Sequence, residues 1–301
     1  MHAQRIDTAK GTTMTIEPFT STLTTSDWNE EWKALQVARA RSDDAAIWDK
    51  KAKTFPTKHG SQEGYVADFL RLAGVQPGET VLDMGCGTGA LATPLAMQGH
   101  QVIACDFSRG MLDVMIADQR NLGVEGVDVK VMSWSDDWER FGVSAKSVDV
   151  AIASRSIATS DLRDSLERLD RVARRRVCIT LPGSSSPRAD DDLLRVAGLG
   201  GHVGHDFLYA FNILVQMGIR PEVSYIPNTR IERFETADEA LEKFSTVACE
   251  AARGYADAST IAAIPERLRT WLEENLVEID GMLQLKEPRD VIWAFIAWNP
   301  R

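Results

Sequence analysis

The chain has 301 residues, of which 44% are apolar and 26% charged, a composition typical of a folded globular protein with a sizeable core. Its 44 acidic and 34 basic side chains give a net charge of -10, so it lacks a broad electrostatic attraction for nucleic acid or for an anionic membrane surface. The sequence also lacks a run of about 20 apolar residues, which argues against a transmembrane helix.

The N-terminal segment is rich in Ser and Thr and has no apolar periodicity. We therefore expect a loose arm over residues 1–26 and no secretory signal, with Met1 and Met14 both open as start sites. The four cysteines lie far apart without a CxxC pair, which favours a reducing, cytoplasmic location over a disulfide or zinc scaffold. We expect no metal site, no membrane association and no nucleic-acid partner.

Helical patterns follow the arm. Trp28 and Trp32 lie at helical spacing, and a second amphipathic segment around Trp48 ends before Pro56. We expect an N-terminal helical cap over residues 27–59. Its aromatic side chains pack the cap onto the core, form a lid that excludes water, or do both.

An alternation of short apolar runs and helical patterns begins after a third helix near residues 63–72. The apolar runs are found at residues 80–83, 101–106, 127–132, 148–153 and 176–181. This alternation predicts βαβ units, a parallel sheet and helices on both faces. A helical insertion over about residues 236–283 is expected before a final β-prone run at 291–298.

The strongest local signal is the segment Asp83-Met84-Gly85-Cys86-Gly87-Thr88-Gly89, which follows a strand and opens a helix. Glycines allow a sharp turn and a close approach of a ligand to the peptide groups, and a helix start offers unpaired N–H groups. Asp106 ends the next strand, where a carboxylate can accept the hydroxyl groups of a ribose.

Two ligands fit this turn. With Ala90 in the last place, it satisfies the dinucleotide fingerprint G-x-G-x-x-G/A, so an NAD-dependent oxidoreductase is an alternative. Asp83, however, would repel a pyrophosphate. It favours a ligand with a cationic amino-acid end and a ribose, such as S-adenosylmethionine.

The segments VLDMGCGTG and VIACDFS, with the five-strand alternation, resemble the class I S-adenosylmethionine-dependent methyltransferases of small molecules over residues 60–182. The segment WDKKAKTF is similar to a helix that precedes the domain in many members. The resemblance implies an α/β, Rossmann-like domain over residues 60–301. Its sheet would have the strand order 3-2-1-4-5-7-6 with an antiparallel seventh strand. It also implies S-adenosylmethionine as cofactor, S-adenosylhomocysteine as product and a small-molecule acceptor.

The resemblance implies roles for individual residues as well. Asp83 would lie near the methionine amino group, and Asp106 would bind the ribose. Family members usually place an acidic residue against the adenine amine in the loop after the third strand. That position falls on Ser135 here, one residue before Asp136, so either residue could contact the adenine. The residues assigned to the cofactor are Asp83, Gly85, Cys86, Gly87, Asp106, Phe107, Met111, Trp134, Ser135, Asp136 and Ser154.

The catalytic candidates are His59, Arg155 and His205. Arg155 follows the fourth strand, where it either clamps an anionic substrate group or pairs with an acid of the scaffold. His202 and His205 stand at i and i+3 without a recognisable third ligand, which favours a capping or solvated role over a metal pair. Cys86 has no His or Cys nearby in sequence, so we interpret it as a small residue and not as a nucleophile.

The sequence therefore predicts a methyltransferase that works mainly by aligning donor and acceptor and by excluding water. An NAD-dependent oxidoreductase is one alternative. A non-catalytic protein that binds the same cofactor is another.

Overall fold

A seven-stranded sheet and a smaller three-stranded sheet organise the molecule. The structure is a computed structural model that describes residues 20–39, 44–52, 63–183, 186, 188–200 and 205–301. The strands are β1 (Thr80–Met84), β2 (Gln101–Asp106), β3 (Val127–Val131), β4 (Val148–Ser154), β5 (Ala173–Pro182), β6 (Glu222–Arg230), β7 (Arg233–Phe234), β8 (Leu276–Ile279), β9 (Met282–Leu285) and β10 (Arg289–Trp298).

The large sheet has the order β3-β2-β1-β4-β5-β10-β6, which confirms the expected order with β10 in the place of the seventh strand. Strands β1 to β5 pair in parallel, whereas β10 is antiparallel to both β5 and β6. Trp293 of β10 lies opposite Pro182 of β5 and Ile226 of β6. Because β10 runs antiparallel, its first half lies at the edge where the parallel strands end.

Helices cover both faces of this sheet. They are α1 (Thr22–Thr25), α2 (Trp28–Arg39), α3 (Ala45–Ala52), α4 (Glu63–Ala73), α5 (Ala92–Met97), α6 (Arg109–Leu122), α7 (Leu162–Val172), α8 (Asp191–Val196), α9 (Asp206–Gln216), α10 (Ala237–Ala252), α11 (Ala258–Ala262) and α12 (Ile264–Asn275). A strand sends alternate side chains to opposite faces. In β1, Val81 joins the core under α4, α5 and α6, and Leu82 joins the core under α2, α7 and α9.

The N-terminal segment packs onto the domain through α2. Trp32 is fully buried, and its indole Nε1 donates a 2.7 Å hydrogen bond to the carbonyl oxygen of Thr159. At the end of the helix, Arg39 forms a buried bidentate ion pair with Asp206 at the start of α9. The side chain of Trp32 therefore belongs to the core and not to a lid.

The segment between β6 and β10 is only partly helical, which corrects the expectation of a helical insertion over residues 236–283. Helices α10, α11 and α12 are followed by the hairpin of β8 and β9, which pairs with β7 in a second sheet. Asp280 and Gly281 join the hairpin with φ of +54° and +78°. An Asp-Gly pair at a two-residue turn is a strong hairpin signal that the sequence analysis did not use.

The described part of the chain holds no helix with the length and apolar character needed to cross a membrane.

Candidate functional site

The turn after β1 requires glycine at two positions for different reasons. Gly85 has φ +74°, and a Cβ there would collide with the side chain of Ser156. Gly87 has φ +55°, and a Cβ there would meet no heavy atom of the described residues within 4 Å. The backbone at Gly87 therefore borders open space, and a ligand can approach its peptide groups closely.

Asp106 ties the end of β2 to this turn. Its Oδ2 accepts a 2.8 Å hydrogen bond from the backbone N–H of Gly87, and its Oδ1 accepts one of the same length from Ser108. The residue is only 6% exposed. A carboxylate oxygen can accept more than one hydrogen bond, so Asp106 can also hold a ligand hydroxyl beside Gly87.

Asp83 is the second carboxylate of the site and is buried. Burial, and then the negative charge of Asp106, raise the pKa of Asp83 to about 7, although the backbone N–H of Ala92 at the start of α5 opposes this rise. Two neighbouring buried carboxylates create a negative potential. A cationic ligand group would therefore stabilise the ionised form of Asp83.

The loop after β3 forms a wall near the same turn. Trp134 Nε1 donates a 3.0 Å hydrogen bond to the carbonyl oxygen of Ser156, the residue packed against Gly85. Asp136 Oδ2 accepts a 2.7 Å hydrogen bond from the backbone N–H of Ser133, so this carboxylate also holds the loop. Ser135 is exposed.

Two other residues assigned to the cofactor lie around the start of α6, with Phe107 directly before the N-cap residue Ser108 and Met111 in the first turn. Phe107 is half-buried and Met111 is buried. Ser108 caps the helix, since its Oγ accepts a 3.2 Å hydrogen bond from the backbone N–H of Met111. The hydrogen bonds of Asp106 and Ser108 therefore fix the start of the helix beside which both side chains lie.

The end of β4 forms a polar and aromatic cluster. The hydroxyl of Tyr65 on α4 lies 2.7 Å from Ser154 Oγ and 2.8 Å from Thr180 Oγ1. Arg155 follows with φ +60°, a conformation that is strained for a side-chain-bearing residue and that clusters at functional sites. Its guanidinium carbon lies 3.4 Å from the centre of the Tyr65 ring and 5.2 Å from that of Trp293.

Among the histidine candidates, His59 and His202 lie outside the described residues. His205 is exposed, precedes α9 and makes no side-chain capping bond. Its Nδ1 contacts the carbonyl oxygen of Gly183, directly after β5. A carbonyl oxygen only accepts, so Nδ1 donates, and Nε2 of the neutral ring is left as a proton acceptor.

Burial raises the pKa of the Cys86 thiol well above its ordinary value, and the charges of Asp83 and Asp106 add to this effect. The thiol therefore stays protonated near neutral pH and is not an activated nucleophile. Within the described ranges, no three His, Cys, Asp or Glu side chains gather as they would around a metal ion.

Sequence reasoning missed Tyr65, Thr180, Trp293 and Asp49. The first three belong to α4, β5 and β10 and meet only through the fold. Asp49 of α3 accepts hydrogen bonds from Ser108 Oγ at 2.6 Å and from the backbone N–H of Gly110 at 2.8 Å. It belongs to the segment WDKKAKTF, which was singled out only as a helix that resembles one preceding the domain in related proteins.

The sheet order, with its antiparallel strand, differs from the order 3-2-1-4-5-6 of the doubly wound dinucleotide-binding fold. Together with the glycine turn, it defines a class I methyltransferase fold. Residues 81–176 match a family model described as a methyltransferase domain. This part of the chain is therefore similar to a methyltransferase domain.

Curated relatives share parts of the chain. An uncharacterized protein of Haemophilus influenzae is 35% identical over 182 residues, which are 60% of this chain and 65% of that protein. A malonyl-[acyl-carrier protein] O-methyltransferase of Yersinia pestis is 29% identical over 43% of this chain and 46% of its own length. The chain thus matches less than two thirds of the length of either relative.

Solved structures share the fold at low sequence identity. The YcgJ protein of Bacillus subtilis has a TM-score of 0.50 at 14% identity, with 79% of this chain and 99% of that one covered. A candidate methyltransferase of Bacillus halodurans C-125 has a TM-score of 0.51 at 13% identity, with 78% and 99% covered.

Proposed function

We propose that this protein transfers a methyl group from S-adenosylmethionine to a small-molecule acceptor. The observation that carries the proposal is the pair of buried carboxylates, Asp83 and Asp106, on either side of a glycine turn that borders open space at Gly87. Two carboxylates beside an open glycine turn suit a ligand that combines a cationic amino-acid end with a ribose.

In the proposed complex, Asp106 accepts the ribose hydroxyls and Asp83 faces the cationic methionine end. The backbone of Gly85, Cys86 and Gly87 borders the ligand between them. The side chains offered to the adenine are those of Phe107, Met111, Trp134, Ser135 and Asp136. The bound cofactor supplies an activated methyl group on a sulfonium.

The chain's own residues then have two tasks, which are to align the acceptor and to keep water out. The acceptor approaches at the edge formed by Ser154 and Arg155, next to the glycine turn. A base is required only when the acceptor must lose a proton. His205 is our proposed base, because its Nδ1 is held by Gly183 and its Nε2 is an acceptor.

The relatives do not specify the acceptor. The Yersinia pestis protein is named for a malonyl group on an acyl-carrier protein, whereas a Corynebacterium efficiens relative, 31% identical over 38% of this chain, is named for demethylmenaquinone. We propose a small-molecule acceptor and not a nucleic acid, because the net charge of -10 disfavours binding to nucleic acid.

Calorimetric titration tests the cofactor assignment. We expect S-adenosylhomocysteine to bind the wild-type protein with 1:1 stoichiometry and NAD⁺ not to bind. Binding of NAD⁺ in preference to S-adenosylhomocysteine would replace the proposal with the oxidoreductase alternative. A broad acceptor screen that yields no S-adenosylhomocysteine from S-adenosylmethionine, in a protein that binds both, would support the non-catalytic alternative.

A further inference from the structure

We infer that Arg155, Arg230 and the indole N–H of Trp293 form a binding site for a carboxylate or phosphate group of the methyl acceptor. This inference rests on the proposed methyl transfer and assigns a chemical class to its acceptor. Both anionic groups offer several oxygen acceptors, which the fork of an arginine can bind in a bidentate manner.

Arg155 provides the first element of the site. Its guanidinium lies over the Tyr65 ring at 3.4 Å and near the Trp293 ring at 5.2 Å. The two rings lie 6.2 Å apart in an edge-to-face arrangement. An arginine guanidinium can lie over an aromatic ring and bind a planar anion in a bidentate manner through its N–H groups.

Trp293 provides the second element. The residue is only 4% exposed, and its Nε1 is buried without a hydrogen-bond acceptor among the described residues. Buried indole N–H groups usually have a partner, because an unsatisfied donor costs stability. An acceptor oxygen of a bound ligand would satisfy this group.

Arg230 of β6 provides the third element. It pairs in register with Arg289, and Trp293 pairs with Ile226 four residues further along both strands. Residues two apart on a strand share a face, so Arg230 and Trp293 lie on the same face of the sheet. This is the face covered by α4, the helix that carries Tyr65.

Positive charge accumulates around this face. Burial lowers the pKa of Arg230, while the charge of Glu232 raises it. The charges of Arg289, Arg155 and Arg188 lower the same pKa further, so Arg230 lies near several other guanidinium groups. Glu232 forms a 2.7 Å ion pair with Arg289, which also pairs with Asp190 at 2.8 Å. A bound anion would be attracted by the charges of both Arg230 and Arg155.

The cluster is adjacent to the proposed donor site. Ser156, the residue after Arg155, packs against Gly85 and donates a 2.7 Å hydrogen bond to the carbonyl oxygen of Met84. Ser154, the residue before it, is held by Tyr65. An acceptor anchored by its anionic group at Arg155 therefore extends towards the turn that borders the cofactor.

The test follows the indole N–H signals of the protein by NMR after ¹⁵N-labelling of tryptophan. The Trp293→Phe variant assigns the Trp293 signal. Benzoate, phenyl phosphate and the neutral benzamide are titrated into the wild-type protein, with and without S-adenosylhomocysteine. The same titrations are done with Arg155→Gln, with Arg230→Gln and with the control Arg220→Gln, whose arginine is exposed and follows α9.

We expect benzoate or phenyl phosphate to shift the Trp293 signal and benzamide to leave it in place. Tighter binding of benzoate would indicate a carboxylate site, and tighter binding of phenyl phosphate would indicate a phosphate site. Its dissociation constant should rise about tenfold or more in Arg155→Gln and Arg230→Gln, and stay unchanged in Arg220→Gln.

The inference is overturned if neither anion shifts the signal, if benzamide shifts it equally, or if both site variants bind the anion like the wild-type protein. The proposed function fails separately, if S-adenosylhomocysteine does not bind. The anion titrations without S-adenosylhomocysteine test the arginine site in either case.

Discussion

The Oγ of Ser108 donates a 2.6 Å hydrogen bond to Asp49 Oδ1, which joins helix α3 to the loop that holds Asp106. The backbone N–H of Ser108 in turn donates to Asp106 Oδ1. Asp49 thus supports, from a helix that precedes the sheet in the chain, the carboxylate assigned to the ribose. The N-terminal segment therefore supports the proposed cofactor site through these hydrogen bonds.

The Asp49→Ala variant tests this support. Loss of the carboxylate removes the hydrogen bonds to Ser108 and Gly110, so the loop of Asp106 loses part of its positioning. We expect several-fold weaker binding of S-adenosylhomocysteine by calorimetry. Asp113→Ala, which removes an exposed carboxylate of helix α6, is the control and should bind like the wild-type protein. Equal affinities of the two variants would contradict a supporting role.

Asp106→Ala removes the proposed ribose acceptor itself. We expect a loss of about 1–3 kcal/mol in the binding free energy of S-adenosylhomocysteine, since the ligand hydroxyls lose a charged partner. Calorimetry on the folded variant measures this loss. Asp128→Ala, on the neighbouring strand β3 and exposed, should leave the affinity unchanged. An unaltered affinity in Asp106→Ala would place the ribose elsewhere.

A side chain at Gly87 should exclude the cofactor. Gly87 and Gly99 both have positive φ, and a Cβ at either position meets no described atom within 4 Å. Gly87→Val and Gly99→Val should therefore suffer similar backbone strain and similar losses of thermal stability. Only Gly87→Val should lose binding of S-adenosylhomocysteine. If both variants bind, the ligand does not contact Gly87.

Cofactor binding should depend on pH through Asp83. Its pKa, raised to about 7 by burial and by Asp106, means that the folded state binds the proton more tightly than the unfolded state. The contribution of Asp83 to stability is therefore complete below the unfolded pKa of about 3.9 and is lost as the pH rises through about 7.

A ligand with a cationic end prefers the ionised carboxylate. The affinity for S-adenosylhomocysteine should therefore increase from about pH 6 to about pH 8, and binding near neutral pH should release protons. Calorimetry in buffers of different ionisation enthalpy measures both effects. Asp83→Asn should remove the increase. The same pH dependence in Asp83→Asn would assign it to another group.

Breaking the buried ion pair of Arg39 and Asp206 should lower the stability of the fold more than breaking an exposed ion pair. Both side chains are at most 1% exposed, so Arg39→Ala removes the cationic group that is bound to a buried carboxylate. We expect a loss of about 3–5 kcal/mol in the free energy of unfolding, measured with urea. Arg195→Ala breaks an exposed pair with Asp192 and should cost at most about 1 kcal/mol. Equal losses would show that burial does not determine how much an ion pair of this protein contributes to the free energy of unfolding.

Local pattern was enough to predict the sheet and the position of the glycine turn. The predicted strand at 80–83 and the helix that follows lie where β1 and α5 are observed. The hairpin of β8 and β9 was missed, because the prediction weighed the helical pattern around it and not the Asp-Gly turn. The sequence did not decide whether Arg155 binds an anionic substrate group or pairs with an acid of the scaffold. Its neighbours Tyr65 and Trp293 are far away in the chain, so local pattern does not reveal them.

By itself, the sequence determined the class of fold and the two carboxylates around the glycine turn, because glycine conformation and strand ends are encoded within one βαβ unit. Only the tertiary structure decided which side chains surround Arg155. The antiparallel register of β10 places Trp293 opposite the end of β5, where its ring lies 5.2 Å from the guanidinium of Arg155, and the pairing with β6 places Arg230 on the same face. Such a register depends on contacts between strands that are distant in the chain, and local periodicity does not encode it.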